Sequence, residues 1–168
     1  MIRVAVLTIS DSAVAGTRED RSGPAVAEKA QSLGWPVVAR EVHRDEMGEI
    51  AAAMTRLIDE GHADLVITTG GTGLGPRDVT PEATKAVAHR EIPGFGEVMR
   101  AEGRKTARFA SLSRGGAAAR GRALILNLPG SPRGAVDSLV AVADLIPHAI
   151  DLLQGRTEHK SGEASKQS

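Results

Sequence analysis

The chain has no cysteine and no tyrosine, and only two phenylalanines and one tryptophan among its 168 residues. The first absence excludes disulfides, thiolate nucleophiles and cysteine-ligated zinc or iron–sulfur centres. The scarcity of aromatics removes the row of rings on which successive bases of a single strand would stack. Neither sign of charge is in excess: 21 Lys and Arg balance 21 Asp and Glu, and the formal net charge is zero. A nucleic-acid binder needs a phosphate-neutralising surplus of Lys and Arg, so that class is disfavoured. No apolar run is long enough to span a bilayer, and no signal-peptide pattern precedes the first apolar run. The expectation is a cytoplasmic protein without a membrane or nucleic-acid partner.

What remains is ordinary globular material, 41% hydrophobic and 25% charged. With so few rings, its core must be built from Ala, Val, Leu and Ile. That composition suits a parallel sheet covered by helices. The reading is one domain over residues 1–155, followed by a polar tail, 156–168, expected to be disordered.

Arg3–Ile9, Pro36–Val42, Asp64–Thr69 and Arg122–Leu128 read as strands, the third unalternated and so buried on both faces. Ser12–Arg21 reads as a loop, and Ser22-Gly23-Pro24 as an N-cap and early proline of a helix reaching about Leu33. Met47, Ile50, Met54, Leu57 and Ile58 fall at helical spacing. Thr80-Pro81-Glu82 opens another helix, and Phe95–Lys105 is a further one. Phe109–Gly121 looks irregular. Gly134–Leu153 is helical, with Pro147 expected to break or kink it. Strands alternating with helices predict an α/β fold with a mostly parallel sheet.

In such sheets ligands bind beyond the carboxyl ends of the strands. Here those ends run into Ser10-Asp11, His43–Asp45, Gly70–Asp78 and Pro129–Pro132. Gly70, Gly71, Gly73 and Gly75 allow a close approach of backbone to ligand, Thr69 and Thr72 add hydroxyls, and consecutive amides can cradle an anion. Glycine is equally the residue of tight turns, so geometry alone would also account for it. The loop lacks the Gly-Lys-Ser/Thr ending of a P-loop, and Pro76 stands where a dinucleotide fingerprint would have its third glycine. Asp45 and Asp78, on two strand-end loops, could together hold a divalent cation; each could equally be a loop or capping acid. Arg44 and Arg77 beside them are phosphate clamps or ion-pair partners. Pro129-Gly130-Ser131-Pro132 is a pocket wall or punctuation before a helix. The histidines show no metal-ligand spacing, and no nucleophile elbow is present.

Thr69–Ala83 (TGGTGLGPRDVTPEA), Arg90–Arg100 (REIPGFGEVMR) and Leu124–Pro132 (LILNLPGSP) together resemble the MogA/MoaB family of molybdenum-cofactor biosynthesis proteins. Val6–Asp11 (VLTISD) and Asp20–Pro24 (DRSGP) extend the likeness to the N-terminus, so that it covers roughly Arg3 to Gly155. The resemblance implies a three-layer α/β/α sandwich, commonly a trimer. It implies a molybdopterin adenylyltransferase that uses ATP and Mg²⁺ to place AMP on the terminal phosphate of molybdopterin, releasing pyrophosphate. The product would pass to a molybdate-insertion enzyme. The family's two essential aspartates fall on Asp45 and Asp78, which become the implied catalytic and metal-holding pair. Thr69, Gly70, Gly71, Thr72, Gly73, Pro129, Gly130 and Ser131 match segments lining the nucleotide and pterin pocket. Ser10, Asp11 and Ser22 belong to matching N-terminal loops. Ser113-Arg114 matches a Leu-Ser-Arg segment on the pterin side, and Glu97 an acid following Pro-Gly-Phe-Gly. A non-catalytic pterin-binding paralogue and a nucleotide-cleaving hydrolase are the alternatives on the same fold.

Overall fold

A computed structural model describes residues Met1–Arg156. The apolar runs pair at the centre of a six-stranded sheet. Strands β1 (Val4–Ile9), β2 (Val37–His43), β3 (Leu65–Thr69), β4 (Arg90–Ile92), β5 (Gly116–Arg120) and β6 (Ala123–Leu128) lie in the order β2-β1-β3-β6-β5-β4. The first four in that order run parallel; β5 and β4 are antiparallel additions. Every residue of β1, β3 and β6 is buried, as strands covered on both faces require.

Alternation along each strand divides the core. Val4, Val6, Leu65, Ile67, Leu124 and Leu126 face one layer, formed by α2 (Ser22–Ser32), α5 (Pro93–Gly103), α6 (Pro132–Val142) and α7 (Ile146–Leu153). Ala5, Leu7, Val66 and Ile125 face the other, formed by α3 (Met47–Asp59) and α4 (Thr80–Val87). This is the three-layer α/β/α arrangement expected from the sequence. Each fully buried Leu or Ile contributes about 1.5–3 kcal/mol of hydrophobic stabilisation.

The structure departs from the sequence reading at four places. Ser12–Arg21 is not wholly loop, because Asp11–Val14 forms a one-turn helix, α1, whose N-cap is Ser10. Phe109–Gly121 is not irregular: it holds most of a 3-10 helix, Arg108–Leu112, and then β5. Strand β4 was not expected at all. Ser22 is not the N-cap of α2; the carboxylate of Asp20 takes that role, accepting from the Gly23 amide at 3.0 Å and from the Thr8 hydroxyl at 2.9 Å. Ser22 itself is buried in the first turn. The break expected at Pro147 is present: α6 ends at Val142 and α7 opens at Ile146, with Pro147 in its first turn. The expected polar tail beyond Arg156 lies outside the described residues.

The register levels the strand ends. Thr8 pairs with Thr69, Ile9 with His43, and Thr69 with Leu128. Four loops therefore leave the sheet from a single rim, and β1 and β3 flank the point where the chain direction of the crossovers reverses.

Candidate active site

The loop after β3 takes its shape from contacts that only glycine permits. Gly70 has φ +103, and a Cβ there would stand 2.3 Å from the carbonyl oxygen of Ile9. Gly71, at φ +68, lies against the Thr80 hydroxyl and 3.2 Å, measured from an ideal Cβ, from Asp45 Oδ1. The hydroxyl of Thr80 donates to the Gly70 carbonyl at 2.9 Å, and the Gly71 carbonyl accepts from the Thr80 amide at 3.1 Å. On the opposite side the buried Thr69 hydroxyl donates to the Pro129 carbonyl at 2.7 Å, joining this loop to the turn after β6. Gly130 abuts Gly70 so closely that its own Cβ would lie 3.3 Å from the Gly70 Cα.

These constraints leave the amides of Gly71, Thr72, Gly73 and Leu74 without a protein acceptor among the described residues, and likewise those of Gly130 and Ser131. Both sets line a groove of about 1110 Å³ together with Asp78 and Ser113. Ser131 also caps α6, accepting from the Gly134 amide at 3.1 Å. Free amides beside the start of a helix are a general anion-holding arrangement.

Two carboxylates meet this loop. Asp78 accepts the Gly75 amide on Oδ2 at 2.9 Å, and the same oxygen lies 2.9 Å from where a Cβ of Gly73 would be. Asp45 arrives from the loop after β2. Its Oδ2 accepts the Asp11 amide at 2.9 Å, while the Asp45 amide donates to Asp11 Oδ1 at 3.0 Å, a reciprocal pair that locks the ends of β1 and β2. Burial, then the charges of Asp11 and Asp78, push the Asp45 carboxyl above its ordinary pKa, so Asp45 and Asp78 share one electrostatic neighbourhood. Arg77 grips Asp11 through Nε and Nη2, both at 3.0 Å, and reaches Glu46 at 3.0 Å. Its guanidinium holds the Asp11 carboxyl below the usual range.

Among the described residues no three His, Asp or Glu side chains form a ready-made metal cage. Yet Oδ1 of Asp45 and Oδ1 of Asp78 accept no hydrogen bond from them. One or two carboxylates completed by phosphate oxygens and water is the donor set that Mg²⁺ ordinarily takes, so these residues fit it.

Arg114 braces the glycine loop. Its amide donates to the Thr72 carbonyl at 2.9 Å, Nε to the Gly73 carbonyl at 2.9 Å, Nη2 to the Asp78 carbonyl at 2.8 Å, and Nη1 pairs with Glu82. It shapes the glycine loop from behind. Glu97 is exposed on α5 and does not line the groove. Asp11 borders Asp45 through the reciprocal pair, and the Ser10 amide donates to the His43 carbonyl at 2.8 Å. Sequence reasoning missed Glu46 and the groove's apolar lining by Met99, Phe109, Leu112 and Val140. The isolated Phe109 in a polar stretch was the one available signal.

The raised pKa of Asp45 gives a stability prediction. A group whose folded pKa exceeds its unfolded value stabilises the fold while protonated, and that contribution is lost as pH rises through the folded pKa. Ionised Asp45 therefore costs the ligand-free protein stability near neutrality. Asp45→Asn keeps an acceptor for the Asp11 amide and removes the charge. The variant should melt above the parent at pH 7, the gap closing on acidification; a lower melting temperature at pH 7 contradicts the electrostatic account.

Rim, glycine loop and the two carboxylates that approach it define an α/β/α domain whose candidate site lies beyond the strand ends. Residues 5–148 match the family described as "Probable molybdopterin binding domain", and the chain belongs to it. It is 44% identical over 156 residues to a Helicobacter pylori J99 protein named molybdopterin adenylyltransferase, covering 92% of this chain and 89% of that one. A protein of the same name from Escherichia coli K12 is 40% identical over 169 residues, covering 92% and 86%. The crystal structure of the molybdopterin biosynthesis enzyme MoaB from Thermus thermophilus superposes with a TM-score of 0.87 at 46% identity, covering 92% and 98%.

Proposed function

We propose that this chain is a molybdopterin adenylyltransferase in molybdenum-cofactor biosynthesis, moving AMP from ATP to the terminal phosphate of molybdopterin. The observation that carries the reading is the meeting of Asp45 and Asp78 at one glycine loop whose amides are free, in a chain 40–44% identical to relatives of that name. A phosphate oxygen of the pterin substrate attacks the α-phosphorus of ATP, a new P–O bond forms, the bond to the β-phosphate oxygen breaks, and pyrophosphate leaves. The nucleophile belongs to the substrate, which accords with a site that offers no serine elbow and no cysteine.

The chain's part is positioning and electrostatics. Amides of the loops after β3 and β6 orient phosphate oxygens. Asp45 and Asp78 would hold Mg²⁺ through their unpaired oxygens, and the bound cation would offset repulsion between two anionic reactants. Arg77, fixed by Asp11 and Glu46, keeps positive charge beside them. The same reading takes the protein to be a cytoplasmic homotrimer that hands its product to a molybdate-insertion enzyme. Among the described residues no helix is long and apolar enough to cross a membrane.

The test is AMP incorporation into molybdopterin with equimolar pyrophosphate release. Both should require ATP and pterin together. Pyrophosphate or AMP released at the same rate without pterin would make the chain a hydrolase, and binding of pterin with no transfer would make it a carrier.

A further inference from the structure

The chain has three aromatic side chains, and two of them, Trp35 and Phe95, are buried in the core at 7% and 5% exposure. The third, Phe109, is 77% exposed and lines the groove. Its position follows from local packing. The 3-10 helix Arg108–Leu112 buries none of its residues. It rests on α5 through a small-on-small contact: a Cβ on Gly103 would lie 2.8 Å from the Ala110 Cβ. With Ala110 turned inward, the neighbouring Phe109 is left outside the core. Leu74, Leu112 and Val140, each at least half exposed, line the same cavity. The groove thus combines the free amides of the loops after β3 and β6 with exposed apolar side chains and, among its described lining residues, one aromatic ring, alongside charged Glu102, Lys105, Arg133 and Asp137.

We infer that Phe109 is a specificity-determining residue, the stacking surface for the planar fused nitrogen heterocycle of a phosphorylated substrate. The argument is that free amides and an exposed aromatic ring line one cavity. A ligand whose phosphate lies on the free amides and whose flat ring extends from it meets the apolar wall, and a ring face pairs with a ring face. The inference deepens the adenylyl-transfer reading and rests on it for the two candidate rings, the adenine of ATP and the pterin. The phenyl ring carries no acid, base or hydrogen-bond donor, so Phe109 acts on binding and not on the chemical step.

Stacking of one base on an aromatic side chain corresponds to a loss of roughly tenfold or more in affinity on truncation. Phe109→Ala should therefore raise KM about tenfold for one substrate while kcat holds, the pattern of lost uniform binding. Phe109→Trp should restore the parent KM, and Phe109→Leu, apolar but not flat, should not. Which KM moves, that for ATP or that for molybdopterin, names the ring. Unchanged KM for both, or full rescue by leucine, overturns the proposal.

A second readout does not need turnover. Fluorine-labelled phenylalanine gives two resonances in this chain, with buried Phe95 as the internal reference. Adding ATP alone or a free pterin alone should move the Phe109 signal by ring current in one of the two titrations and leave Phe95 in place. Turnover with an unmoved Phe109 signal sinks the stacking and leaves adenylyl transfer standing. A shifted signal without turnover does the reverse.

Discussion

Asp78→Asn and Asp45→Asn are each expected to lower the rate of adenylyl transfer by about three orders of magnitude, the scale of removing one preorganised electrostatic contact from a transition state, while the chain stays folded. The fold should survive because each asparagine keeps the hydrogen bond its aspartate makes. An amide oxygen can accept from Gly75 as Asp78 Oδ2 does, and from Asp11 as Asp45 Oδ2 does. What is lost is the negative charge facing the loop, and with it the second oxygen offered to a cation. The measurement is single-turnover AMP transfer at saturating ATP and Mg²⁺, with circular dichroism and melting curves on the same samples. For Asp45→Asn the two readouts should diverge, activity falling as ligand-free stability rises. Turnover within tenfold of the parent in both variants would remove the aspartates from the catalytic account.

The second large effect is structural. Gly70→Ala should destabilise the protein by about 2–5 kcal/mol, adding roughly 1–2 for a side chain at positive φ to about 1–3 for forced overpacking. The obstacle is the main chain of Ile9 at 2.3 Å, in the central strand pair, and no rotamer can relieve it. For a domain of this size the melting temperature should fall by about 5–20 °C. Gly94→Ala, where no heavy atom lies within 4 Å of an added Cβ, is the control. Equal melting temperatures for the two would mean that the loop after β3 is far softer than its contacts imply.

Much of the scaffold was legible because its driving force is written locally. Val4–Ile9, Leu65–Thr69 and Ala123–Leu128 are short, mostly aliphatic runs without polar alternation, broken only by Thr8, Thr68, Thr69 and Asn127 near their carboxyl ends, as strands covered on both sides are. Strand β5 was not legible. Gly116–Arg120 is three alanines between a glycine and an arginine, which carries no strand propensity of its own, and it pairs because β6 presents an open edge. Strand β4 has three residues and exists by pairing with β5. The cap of α2 went to Asp20 because its second carboxylate oxygen also takes Thr8, a contact between residues twelve apart that no local pattern announces.

The site divides in the same way. Glycine loop, Asp45 and Asp78 could be read from residue type and from family likeness. The reciprocal Asp11–Asp45 pair, the Arg77 bridge to Glu46 and the outward Phe109 are products of tertiary placement. Glu97 matched a recurring sequence position, yet α5 turns it to solvent away from the groove.

Arg114 enters from the segment just before β5, on the antiparallel flank, yet three of its donors end on carbonyls of the loop that leaves the parallel half. The turn bearing Asp78 is thereby tied to two independent parts of the sheet. Loosening the outer flank, by heat or by a cut near Ser111, would slacken that turn while the central strands still hold, so the protein would lose its chemistry at a milder insult than the one that melts it.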